Sequence, residues 1–177
     1  MIKIKYDNWI ETYTGIRFHP LDPQIHEIHI EDIAHALSNI CRFTGHCKEF
    51  YSVAQHSVLV STLCPEYPME GLLHDATEAY VSDVNTTVKL LLQEYRDLEC
   101  DIMEVVAKKF NLKFPLPKEV KAADLMLLEF EHRALFNSGL KWSISSIKVD
   151  ESLEKLKCWL PDEAELRFLN RYEELKK

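Results

Sequence analysis

From Ile30 to Leu135 the apolar residues of this chain recur every three or four positions, and that period prescribes helices. Ile30, Ile33, Ala34, Leu37, Ile40 and Cys41 make the first apolar strip, behind Glu31 and Asp32, acids suited to a helix N-terminus; this helix should stop before Gly45. Ser52 and Gln55 have the spacing of a capping box and open a second helix, carrying His56, that Pro65 must end. Pro68 fits the first turn of a third helix, from Met69 to about Val81, which carries His74, Asp75 and Glu78. Val88, Leu91, Leu92, Tyr95, Leu98, Ile102, Val105 and Val106 mark a long helical stretch with room for one break, closing near Asn111. Pro117 opens the next helix, whose apolar face runs through Val120, Leu127, Leu128 and Leu135 with Asp124 on it, and Gly139 is its natural stop. Residues 151–177 read as two short helices around Pro161, using Leu153, Leu156, Leu160, Leu166, Leu169 and Tyr172.

The start of the chain obeys a different period. Ile2, Ile4 and Tyr6 alternate with polar residues, and Thr14-Gly15 offers a turn between Ile10–Tyr13 and Ile16–Phe18, so a small hairpin is expected there. The predicted fold is an all-α bundle with a small N-terminal β-hairpin. The 177 residues suffice for one core and are expected to form a single domain, with residues 1–30 as an N-terminal extension, 30–137 as the core and 138–177 as C-terminal helices.

Charge and composition exclude several functions. A net charge of -8 opposes binding to a nucleic acid polymer, which is driven by basic surfaces, yet a small anion needs only a metal and a few local cations. No run of 18 apolar residues is present, so no membrane association and a cytoplasmic location are expected. The five cysteines, Cys41, Cys47, Cys64, Cys100 and Cys158, are scattered with no Cys-x-x-Cys pair, and are read as reduced, mostly core thiols.

The histidines and the misplaced acids carry the chemistry. Adjacent residues differ by about 100° around a helix, so His74 and Asp75 could both reach one ion beside it. Asp124, on an apolar strip, is costly to bury without a cation, and His56 is similarly placed. Two imidazoles and two carboxylates suit a borderline or hard divalent metal; the competing reading is a buried salt-bridge network. Glu78 falls one helical turn after His74, on the same face, so its carboxylate can approach as a general acid or base, or else stand exposed on a helix surface.

Ala54-Gln55-His56-Ser57, Leu73-His74-Asp75 and Ala123-Asp124 together resemble, in order, spacing and context, the H...HD...D signature of the HD phosphohydrolase superfamily. The likeness is closest to its compact nucleotidase branch, which includes bacterial 5'-deoxynucleotidases and phage dATP triphosphohydrolases. Arg42-Phe43 is similar to the Arg-aromatic pair that precedes the first metal histidine there, His74 to Glu78 with Asp83 to the HDxxE...D segment, and Thr87-Val88-Lys89 to the segment that follows. Trp9, Thr12 to Gly15, Phe18 and Pro20 look like small phage-type members, and the resemblance spans roughly residues 7 to 137.

This resemblance implies an HD-domain helical bundle in which His56, His74, Asp75 and Asp124 hold one divalent transition metal (Zn, Co, Mn or Fe), with Mg as a possible addition. It implies catalysis by Glu78, Arg42 and Asp83, and substrate binding by Arg42, Phe43 and Lys89. Arg42 could instead complement a helix dipole, Phe43 and Tyr51 could be ordinary core, and Asp83 could orient water, hold a sugar hydroxyl or bind a second ion. His35 and His46 are further pocket candidates. The paired metals of di-iron HD oxygenases need two more histidines between the His-Asp pair and the last Asp, and residues 76–131 contain none. The expected activity is removal of phosphate from nucleotides, with (deoxy)adenosine mono-, di- or triphosphates favoured, by attack of a metal-activated water. A homo-oligomer is expected on the same resemblance, and a non-catalytic metal- or nucleotide-binding regulatory module is the alternative function.

Overall fold

The structure, a computed structural model, describes residues 7–137, 139, 140, 142 and 156–176. The alternating Ile2, Ile4 and Tyr6 lie outside the described residues. Strands β1 (Ile10–Glu11) and β2 (Arg17–Phe18) pair antiparallel with Ile10 opposite Phe18. Gly15 takes a positive φ of 82° in the connecting turn, a region open to glycine without steric cost. Two contacts tie the hairpin to the helical body. Asp32 accepts hydrogen bonds from the Thr14 backbone N–H and hydroxyl (2.7 and 2.9 Å), and the buried Phe18 ring stacks on Tyr80.

The rest of the described chain is helical: α1 (Ile30–Asn39), α2 (Val53–Leu63), α3 (Pro68–Leu73), α4 (Glu78–Val81), α5 (Thr86–Lys89), α6 (Gln93–Phe110), α7 (Lys118–Leu135) and α8 (Pro161–Leu175). Helix α2 begins where the cap requires, with the Ser52 hydroxyl accepting from the Gln55 N–H at 3.1 Å. Only half of the capping box forms, because the Gln55 amide turns to Lys157 O and Trp159 N and straps the C-terminal segment to α2. Asn111 ends α6 in the left-handed conformation, a common helix stop.

Several expectations need correction. The single third helix is two short ones, α3 and α4, joined by a tight turn in which Ala76 N bonds Leu73 O and Glu78 N bonds Asp75 O. The tightening keeps Leu72, Leu73, Ala76 and Tyr80 buried, so the apolar pattern did not betray it. The long stretch has the one break that the sequence allowed, after Lys89, but Leu91 and Leu92 stand exposed there and not in the core. Helix α7 ends at Leu135, short of Gly139. Among the described residues the C-terminal region has one helix, α8; residues 156–160 are extended or irregular, Leu153 lies outside the described residues, and Leu160 and Leu166 are exposed. Of the five free thiols only Cys64 is buried.

Helix α8 lies against α1, α2 and α3 through Ala164 and Phe168, completing a core built on Ile33, Leu37, Leu72, Leu73 and Ile102. A second apolar cluster, Val60, Val120, Ala123 and Leu127, joins α2 to α7. Helix α2 is therefore clasped by α3, α7 and α8, and its buried N-terminal half is where the side chains with chemical character meet.

Candidate metal centre

His56 lies in the first turns of α2, fully buried. Its Nδ1 is 2.7 Å from Glu131 Oε1 on α7. His74 follows the last residue of α3, and its Nδ1 donates to Gly71 O at 2.8 Å, one turn back. A carbonyl and an ionised carboxylate only accept, so each ring spends its Nδ1–H there and turns Nε2 the other way. The two Nε2 atoms face each other at 3.3 Å.

Two carboxylates enter the same space. Asp75 Oδ2 is 3.2 Å from His74 Nε2 and 3.7 Å from His56 Nε2, and Asp124 Oδ1 is 3.3 Å from His56 Nε2. His56 Nε2, His74 Nε2 and Asp75 Oδ2 thus lie around one volume, with Asp124 Oδ1 next to His56. Adjacent ligands at about 2.0–2.2 Å from a tetrahedral or octahedral ion stand about 2.8–3.6 Å from one another. The 3.2 and 3.3 Å separations fall within that interval and 3.7 Å just outside it. His56, His74 and Asp75 together could hold a metal ion, and two imidazoles with a carboxylate suit a divalent transition metal. Asp124 stands beside this group, its other oxygen paired with Lys121 Nζ at 2.6 Å.

The electrostatics agree with a site built for positive charge. Burial opposes ionisation of Asp75 and Asp124, but His74 and His56 outweigh it and hold both carboxyls well below their ordinary range. For His56, burial and Arg42 oppose the proton, yet Glu131 and Asp124 outweigh them and push its pKa up to about 9. Glu78 behaves in the opposite sense. It is 7% exposed, its Oε2 has no hydrogen-bond partner, and burial together with the charges of Asp75 and Asp83 raises its pKa well above the usual carboxylate value. It is a buried acidic side chain and not an exposed helix carboxylate.

Arg42 lies beyond the end of α1, in the loop before α2, so it does not cap that helix dipole. It is 9% exposed, with Nη2 3.3 Å from Glu131 Oε2 and Nη1 3.6 Å from Asp75 Oδ2, while its Nε lacks a partner. Phe43 and Thr44 follow with positive φ (57° and 54°), a conformation that costs non-glycine residues of order 1–3 kcal/mol. That turn carries the Phe43 ring to Phe136 (5.2 Å) and Trp142 (6.0 Å), in an aromatic cluster with His132. Asp83 is half-buried and, like Lys89, lies close enough to interact with Asp75. Lys89 is engaged with Glu99 at 2.7 Å. His35 stacks on Tyr13 and pairs with Glu165, away from the histidine pair, and His46 is exposed.

Sequence reasoning passed over Glu131. It is fully buried and accepts from Tyr51 Oη at 2.6 Å as well as binding His56 and Arg42. One signal was available: Glu131 falls seven residues, two helical turns, after Asp124, on the strip that also carries Leu127.

Fold and centre together define a mostly helical protein with a His-His-Asp group, buried at His56 and half-buried at His74 and Asp75, that could hold a metal ion. No family model matches the chain. It is 40% identical over 171 residues to the uncharacterized protein YfdR of Escherichia coli strain K12, covering 95% of this chain and 96% of that protein. An uncharacterized protein of Rhodobacter capsulatus is 34% identical over 138 residues, 70% of each chain. The chain belongs to the family of YfdR. Among the described residues no helix is long and apolar enough to cross a membrane.

Proposed function

We propose that this protein is an HD-type phosphohydrolase that removes phosphate from nucleotides with one divalent transition metal held by His56, His74, Asp75 and Asp124. The observation that carries the reading is the His56, His74 and Asp75 group, with Asp124 next to His56 and both histidine Nδ1 atoms already committed elsewhere. A divalent ion in such a site polarises a phosphoryl oxygen and lowers the pKa of water into the range of a nucleophile.

The chain's own residues supply the remainder. Burial and the neighbouring acids raise the pKa of Glu78, which suits it to carry a proton to a leaving oxygen that departs with negative charge. Arg42 is held in place by Glu131 and Asp75 and retains unpaired donor capacity for phosphate oxygens. Lys89 and Asp83 both lie near enough to Asp75 for their charges to interact, and Phe43 offers an aromatic surface for sugar or base. The preference for adenine deoxynucleotides rests on the resemblance to phage-type HD members.

The test is phosphate release from a panel of nucleoside mono-, di- and triphosphates, with protein first stripped by chelator and then reloaded with Zn, Co, Mn or Mg. Release that needs the metal and disappears in Asp75→Asn is the expected result. A reloaded protein that binds metal and nucleotide but releases nothing would favour the regulatory module instead.

A further inference from the structure

One group in the centre has more partners than a ligand-orienting residue needs. His74 shows what suffices to fix a metal-facing imidazole: a local helix carbonyl, Gly71 O, takes its Nδ1–H. His56 has a fully buried carboxylate in the same role, delivered from α7 across 75 residues of sequence. Burying a carboxylate to satisfy one imidazole is unfavourable, because its second oxygen loses water and gains nothing. In this structure the second oxygen is used. Glu131 Oε1 takes Tyr51 Oη (2.6 Å) and His56 Nδ1 (2.7 Å), and Oε2 takes Arg42 Nη2 (3.3 Å).

We infer that Glu131 is a positioning residue shared by the two halves of the centre: one oxygen fixes His56 for the metal, and the other fixes Arg42 for an anion of the phosphate class. The inference rests on the metal-site reading above and adds what sets the relative placement of the metal and its nearest arginine. Arg42 and Tyr51 both belong to the segment leading into α2, bridged back on itself by Arg42 N to Tyr51 O at 2.9 Å. Glu131 therefore ties that segment, α2 and α7 at a single carboxylate. An ionised carboxylate accepts and never donates, so it also leaves His56 no choice of tautomer.

The experiment titrates folded protein with Co(II) alone, following the visible spectrum, and then titrates the Co(II)-loaded protein with inorganic phosphate. Glu131→Gln keeps the shape but turns one acceptor oxygen into a donor. It should weaken Co(II) binding about 10- to 100-fold, as loss of such outer partners does, shift the Co(II) bands, and weaken phosphate binding as well. Tyr51→Phe removes one donor without touching the charge and should weaken Co(II) binding by less than about tenfold. A purely structural Glu131 would lower the melting temperature while leaving Co(II) affinity and spectrum as in the wild type, and that result overturns the inference. Should Glu131→Gln fail to fold, Glu131→Asp retains the charge but is one methylene too short to serve both partners. Weakening of Co(II) or phosphate binding in it supports the inference, and wild-type binding of both overturns it. Wild-type protein that binds no Co(II) sinks the metal reading itself, a separate outcome from a loaded wild type matched by its Glu131 variants.

Discussion

Gly71→Ala probes how far the metal centre depends on helix packing. Gly71 sits inside α3 where that helix crosses α2, and a Cβ added there would come within 3.0 Å of Ser61 Cα, 3.2 Å of Ser61 N and 3.3 Å of Val60 C. All three atoms are backbone, so no side chain can rotate away; the helices must part by a few tenths of an ångström. Overpacking of this kind costs about 1–3 kcal/mol, and the better helix propensity of alanine returns about 1 kcal/mol. The net loss is then about 0–2 kcal/mol, which for a chain of this size lowers the melting temperature by no more than about 8 °C. The functional effect should be larger. Gly71 O holds His74 Nδ1, and His74 Nε2 stands 3.3 Å from His56 Nε2 on the other helix, so parting α3 from α2 opens the pair directly. Co(II) affinity is expected to fall about tenfold, the lower end for a disturbed outer partner. Thermal melting of chelated protein and a Co(II) titration check both halves. A variant that melts higher than the wild type and binds Co(II) equally well would refute the claim that this crossing sets the histidine separation.

Glu78→Ala should retain its metal but turn over roughly 10²-fold more slowly, as expected for a lost acid or base; metal content and phosphate release decide it, and an empty variant would make Glu78 a ligand. Arg42→Ala removes one of the three partners of the buried Glu131 carboxylate, and chemical denaturation should show a loss of about 1.5–3 kcal/mol, whereas a wild-type curve would mean that the pair is not formed. His56, raised from 6.5 to about 9, contributes stability to metal-free protein that is fully present below pH 6.5 and lost as pH climbs through about 9. The melting temperature in chelator should therefore be lower at about pH 9.5 than at about pH 6.5, and an unchanged or rising value would count against a proton shared among these groups.

Much of this architecture was legible in the residues because it is local. The Ser52 cap, the proline limits of α2, the strip of α7 and the left-handed stop at Asn111 depend on neighbours within a turn or two. His56, His74 and Asp75 stood out because polar groups on apolar strips need partners, and their ligand atoms do come together, with Asp124 next to His56. What stayed hidden depends on distance along the chain. A glutamate on a helix reads as surface, and nothing near Glu131 reveals that Arg42, 89 residues away, and Tyr51, 80 residues away, fold onto it. The break between α3 and α4 was silent for another reason: a tight turn and a helix bury the same Leu72, Leu73, Ala76 and Tyr80. Leu91 and Leu92 misled in the other direction, since their places on the helical strip imply burial and both are exposed.

The central claim is that His56, His74, Asp75 and Asp124 form one metal site, and X-ray absorption at the zinc edge of reloaded protein tests it most directly. The account predicts two imidazole nitrogens at about 2.0–2.1 Å with oxygen donors completing the shell, and loss of one imidazole contribution in His74→Ala. Sulfur scattering at about 2.3 Å would place the ion on the cysteines, and a spectrum unchanged in His74→Ala would place it elsewhere; either contradicts the account.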